Sequence, residues 1–99
     1  LEPHFLTHPG EVIKEELAFR GISQRRLASE IGIPVSQLNE VLNAKRSLNA
    51  EMALLIEQAL GIDAEPLLSL QVKYNILSAK RNKSFFERLK KIPRIAAAL

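Results

Sequence analysis

Apolar residues recur along this chain at spacings of three and four, and no alternating strand pattern persists beyond a few positions. The chain is therefore predicted to be helical almost throughout. Residues 1–8 read as an extended N-terminal arm, because Pro3 and Pro9 restrict the backbone before them. A first helix is expected from Pro9 or Gly10 to Phe19, burying Val12, Ile13 and Leu17 and ended by Gly21. Ser23 is placed to cap a second helix, with Leu27, Ala28 and Ile31 facing inward and Gly32 supplying the left-handed turn after it. Pro34 suits the first turn of a third helix, held to the core by Leu38, Val41 and Leu42 and followed by a polar loop at Asn43–Ser47. Asn49 caps a fourth helix with Met52, Leu55, Ile56, Ala59 and Leu60 on its apolar stripe, and Gly61 stops it. Asp63 is the expected cap of a fifth, with Pro66 tolerated in its first turn.

The fifth helix carries two apolar stripes. Leu67, Leu70, Tyr74 and Leu77 form one, and Leu68, Val72 and Ile76 form the other. At about 100° per residue they lie nearly opposite each other, while a core this small offers one side. The first stripe is predicted to pack on helices 1 and 4 and the second on another subunit, making Leu68, Val72 and Ile76 a homodimer interface. The alternative is that Phe85, Phe86, Leu89 and Ile92 of the C-terminal segment fold back over it. That segment is expected to be helical at 84–92, capped by Ser84 and interrupted by Pro93.

Composition narrows the class. A chain of 99 residues with 46% hydrophobic content has room for one domain. It contains no cysteine, which excludes a disulfide framework and a thiolate zinc site and suits an intracellular, cytoplasmic setting. No apolar run approaches the ~18–20 residues of a membrane span, and the first residues lack the basic start and apolar stretch expected of a signal peptide. The net charge of +3 conceals an asymmetry: residues 1–72 carry 10 acidic and 6 basic side chains, residues 73–99 carry 1 and 8. The organisation read from this is an arm at 1–8, a helical body at 9–79 and a basic tail at 80–99. Three roles stay open for the tail: packing on its own subunit or dimer, docking a protein partner, or clamping DNA.

The segment ISQRRLASEIGIPVSQLNEVLN, residues 22–43, joins two short helical patterns through Gly-Ile-Pro. The second pattern has Leu38, Val41 and Leu42 on one face, and Ser36, Gln37, Asn39, Glu40 and Asn43 on the other. Such donors and acceptors of short and middle length suit base edges in a major groove. Two short helices crossing at a tight glycine-containing turn form a helix-turn-helix. Gln24, at the start of the earlier helix, would then lie over the phosphate backbone.

This stretch resembles the helix-turn-helix of phage-repressor-like (XRE/Cro) proteins, with a Ser-Gln pair opening helix 2, an alanine and a glycine shaping the turn and an asparagine closing helix 3. More specifically, HPGEVIKEEL, ISQRRLASEIGIPVSQLNEVLNAKRSL, AEMALLIEQALGI and LLSLQVKYNI together resemble the HigA family of VapI-type plasmid-maintenance antidote proteins. The likeness covers roughly His8 to Leu77. HPGE and the Leu-Gln pair before Tyr74 lie outside the general repressor motif. Two positions depart from the family: it usually has an aromatic residue near Leu67 and Leu68, and glycine where Ala44 stands.

The resemblance implies an all-α, lambda-repressor-like DNA-binding domain that represses its own operon as a homodimer and neutralises a RelE-like mRNA endonuclease toxin. A stand-alone XRE-type repressor without a toxin, and an interaction adaptor that kept the fold, are the competing readings. Base contacts are expected from Val35, Ser36, Gln37, Asn39 and Glu40, and backbone contacts from Gln24, Arg25, Asn43, Lys45 and Arg46. No cofactor, metal or catalytic residue is expected. His4 and His8 are four apart but lack a carboxylate or cysteine to complete a metal set, and the adjacent Glu15 and Glu16 point in different directions on a helix.

Overall fold

The structure, a computed structural model, describes residues 7–95. Six helices and no strand are present among the described residues: α1 Pro9–Arg20, α2 Gln24–Ile31, α3 Val35–Leu42, α4 Ala50–Leu60, α5 Ala64–Arg81 and α6 Lys83–Lys90. The predicted arm at 1–8 falls largely on residues 1–6, outside the described set. Its last residue, His8, is extended, buried and the N-cap of α1.

Local chemistry sets most helix ends. The Ser23 hydroxyl accepts from the Arg26 N–H at 3.0 Å, and the Asn49 side chain accepts from the Met52 N–H at 2.8 Å. Gly21, Gly32 and Gly61 end α1, α2 and α4 in the left-handed conformation. Three cap expectations are corrected. Pro34 stands before α3 as its N-cap instead of inside the first turn. Asp63 occupies the N-cap position of α5, but its side chain makes no capping bond. Pro66 is the third residue of that helix, and a proline there lacks the N–H a cap would engage. The cap of α6 is Asn82, not Ser84: its side chain accepts from the Phe85 N–H at 3.0 Å, and the helix runs over 83–90.

Helices α1 to α5 surround one core, in which Ile13, Leu38, Val41 and Ile56 are fully buried and Leu17, Leu27, Leu42, Met52 and Leu67 nearly so. In α4 the buried line is Met52, Ala53, Ile56 and Leu60, whereas Leu55 and Ala59, predicted inward, are exposed. The helix is rotated so that small Ala53 meets its neighbours and Leu54 and Leu55 turn outward. In α5 Leu67 is buried, with Leu70, Tyr74 and Leu77 half-buried, and the helix packs on α1 and α4 as predicted. The opposite stripe stays open. Leu68 is half-buried at the core's rim, while Val72 and Ile76 are 56% and 49% exposed. The tail does not fold back over it: α6 packs against the end of α5 and has no buried residue of its own.

Ala44, in the loop after α3, has φ +62°, where an L side chain is strained and glycine is not. We expect Ala44→Gly to stabilise the fold by about 1 kcal/mol, read as a higher denaturation midpoint at unchanged slope.

Candidate DNA-reading face

The turn between α2 and α3 begins where the Gly32 and Ile33 N–H groups both bond the Ala28 carbonyl, at 2.9 and 3.1 Å. Ala28 is buried, so the helices cross closely. On α3, Leu38, Val41 and Leu42 are sealed into the core. Val35, Ser36 and Asn39 are exposed on the outer side and Gln37 and Glu40 half-buried at its flanks. All five expected base-reading residues thus lie on one helix whose inner face is immobilised by packing.

Hydrogen bonds tie that surface together. The Asn39 side-chain amide donates to Gln24 Oε1 at 3.0 Å, linking α3 to the start of α2. Arg46 and Glu40 form an ion pair at 2.7 Å, joining an expected backbone anchor to an expected base reader. Asn43 donates to the Asn39 carbonyl at 2.9 Å, and its side-chain oxygen accepts from Lys14 Nζ at 2.8 Å. Of the expected backbone set, Gln24, Asn43 and Arg46 are bonded to Asn39 or Glu40 of α3, while Arg25 and Lys45 are exposed. Lys14, from α1, was missed by sequence reasoning. Its partner is 29 residues away, and no local pattern announces such a contact.

Two buried polar groups, His8 and Gln71, order the backbone around this surface. His8, 1% exposed, accepts the Gly10 N–H on Nδ1 at 2.9 Å, so in the neutral ring the proton sits on Nε2. The edge of its ring meets the Tyr74 ring at 4.8 Å between centroids. Burial pushes the His8 pKa down, against the smaller opposing effects of the Glu11 carboxylate and the Arg46 carbonyl. Gln71, 5% exposed, accepts the Leu48 N–H at 2.7 Å and donates to Asn75 at 2.9 Å. These contacts give HPGE and the Leu-Gln pair a physical role. His8 caps α1 and packs its buried ring on Tyr74 of α5, and Gln71 satisfies a backbone N–H that would otherwise be buried unpaired.

Gly10 completes this joint. A Cβ added there would lie 2.0 Å from the Val41 carbonyl oxygen and 2.9 Å from the Leu42 Cα. The start of α1 consequently presses directly on the backbone of α3, and glycine alone permits that approach. Among the described residues no group of three or more acidic, histidine or cysteine side chains is arranged to hold a metal ion, and no helix is long and apolar enough to cross a membrane.

Residues 13–67 match the family model of the helix-turn-helix domain HTH_3. The chain is 34% identical over 77 residues to virulence-associated protein I of Dichelobacter nodosus, covering 77% of this chain and 71% of that one. An addiction-module antidote protein of the HigA family from Coxiella burnetii superposes with a TM-score of 0.78 at 34% identity, over 91% of this chain and 98% of that one. The Pseudomonas aeruginosa antitoxin HigA, solved with the higBA promoter, shares the fold with a TM-score of 0.81 at 23% identity, over 92% and 99% of the two chains. With a helix-turn-helix model spanning more than half its length and VapI-type and HigA-type relatives matched along most of it, this chain belongs to the HigA family of VapI-type antidote proteins within the XRE-like helix-turn-helix class.

Proposed function

We propose that this protein is an antitoxin that binds its own operator as a homodimer, represses its operon and neutralises a RelE-like mRNA endonuclease. The observation that carries the DNA-binding part is the outer surface of α3. Its polar side chains are of short and middle length, lie on the outer side or flanks of the helix, and two of them are set in place by the Asn39–Gln24 and Glu40–Arg46 contacts. An exposed helix under no such demand is usually covered by long charged side chains free to move. The toxin-neutralising part rests on family membership.

In this reading Val35, Ser36, Gln37, Asn39 and Glu40 read base edges, with Asn39 or Gln37 suited to adenine and Glu40 to a cytosine amino group. Gln24, Arg25, Asn43, Lys45 and Arg46 position the body (9–79) on phosphates. The body carries more acidic than basic side chains, so one subunit neutralises few phosphates and two are needed for useful affinity. Leu68, Val72 and Ile76 supply the surface for pairing. The two recognition helices would then meet half-sites about 34 Å apart or a multiple of that.

The test is a fluorescence-anisotropy titration into a duplex from the protein's own upstream region, beside a scrambled duplex, at two salt concentrations. Asn39→Ala is expected to weaken specific binding by about 1–3 kcal/mol per half-site, with little change on the scrambled duplex. Equal affinity for both duplexes would remove the operator reading. Co-expression with the adjacent open reading frame tests the toxin part: a growth-inhibiting product not relieved by this chain would leave a stand-alone repressor.

A further inference from the structure

Helix α6 has eight residues and buries none of them. Phe85, Phe86 and Leu89 are 38–42% exposed and Ile92, just beyond, 67%. A helix of this length is marginal in water without a partner. Its apolar side is edged by Arg88 and Lys91, which line a shallow depression with Phe85, Leu89 and Ile92.

A surface of opposite character lies on the body. Three shallow depressions run along α4 and the first half of α5, the first two meeting at Leu54 and the last two at Glu65. Their apolar floor includes Leu54 and Leu55, which are 58% and 39% exposed, and they are edged by Glu51, Glu57, Asp63 and Glu65. Apolar residues framed by four carboxylates complement a helix whose apolar residues are framed by cations.

We infer that α6 of one subunit docks in the α4–α5 groove of a second copy of this chain. The inference rests on the dimer proposed above and specifies its geometry. A two-fold pairing through Leu68, Val72 and Ile76 can run parallel or antiparallel. The antiparallel arrangement sets the basic last turn of α5, with Lys80 and Arg81, against its acidic start at Glu65, and also opposes the helix dipoles. If Val72 meets Val72, Ile76 meets Leu68 and Lys80 meets Ala64. One residue, Asn82, then separates α5 from α6. The partner's α6 thus begins near the start of the first subunit's α5, by Asp63, next to the depression that Leu54 and Glu57 line. The same connection keeps α6 from its own groove: α5 is 18 residues long, about 27 Å, and the groove lies beside its first half. Exchange between subunits covers both apolar surfaces and lets the basic tail neutralise the acidic body.

The absence of cysteine makes the test clean. Leu54→Cys and Leu89→Cys are introduced separately, since both side chains are exposed, and the two purified proteins are mixed and treated with a short bis-maleimide. The expected product is a covalent dimer in the mixture, well above the level in either protein alone. Arg88→Glu with Lys91→Glu is expected to weaken dimerisation about tenfold at low salt. Adding Glu51→Lys and Glu57→Lys to the same chain should restore it. Dimers by light scattering that neither cross-link above background nor respond to the charge changes would overturn the docking of α6 and leave the dimer standing. A strict monomer at micromolar concentration would overturn the dimer as well.

Discussion

Replacing Gly10 by alanine is expected to lower stability by about 3 kcal/mol, read as a fall of roughly 12–24 °C in Tm for a domain of this size. The reason is steric. The added methyl carbon would lie 2.0 Å from the Val41 carbonyl oxygen and 2.9 Å from the Val41 carbonyl carbon. The obstructing atoms are backbone in α3, so relief requires α1 or α3 to move as a unit, and α3 presents the expected base readers. Specific DNA affinity should therefore fall beyond the loss in folded fraction. Gly61→Ala is the control. Gly61 has φ +73° with nothing within 4 Å of an added Cβ, so alanine there costs about 1–2 kcal/mol of backbone strain and leaves α3 in place. Similar losses of stability in both variants, with DNA binding equally preserved, would refute the close approach of α1 to α3.

His8→Ala is expected to cost about 3 kcal/mol, because it removes an N-cap and a buried ring packed against Tyr74 in one step. The pH dependence is the sharper signature. Burial holds the folded pKa of His8 below its ordinary value, so on acidification the unfolded chain takes up its proton first. The contribution is fully present above about pH 6.5 and is lost as pH falls from there through the folded pKa. Protonation also puts an N–H on Nδ1, where the Gly10 N–H now donates. Urea unfolding between about pH 7.5 and 5 should show a decline in the parent protein that is shallower in His8→Asn, which can still cap but does not titrate in that range. Parallel pH profiles for the two proteins would exclude His8 as the responsible group.

Helix order, the turn at Gly32 and the inward face of α3 were legible because each depends on residues within one or two turns of one another. Ser23 and Asn49 cap where their position before an apolar run says they should. Expectations failed where a second constraint intervened. Asp63 does not cap because Pro66 lacks the N–H, and Ser84 is displaced by Asn82, which both ends α5 and starts α6. Leu55 fits a helical stripe as well as Ala53 does, and the neighbours of α4 select the smaller residue. Within the candidate site, the outer residues of α3 were evident from their spacing. Their tethers were not: Lys14 to Asn43, Gln24 to Asn39 and Gln71 to Leu48 join residues 29, 15 and 23 apart.

By itself, the sequence determined the helices, their order and the face that α3 turns outward, because periodicity, caps and breakers act over a few residues. Tertiary structure alone decided that His8 is buried as the cap of α1, that Gln71 holds the Leu48 N–H, that Gly10 must be glycine, and that Val72, Ile76 and α6 stay exposed among the described residues. These depend on which surfaces meet once the helices pack, and a buried polar group or a close backbone approach acquires its meaning from a partner distant in the chain.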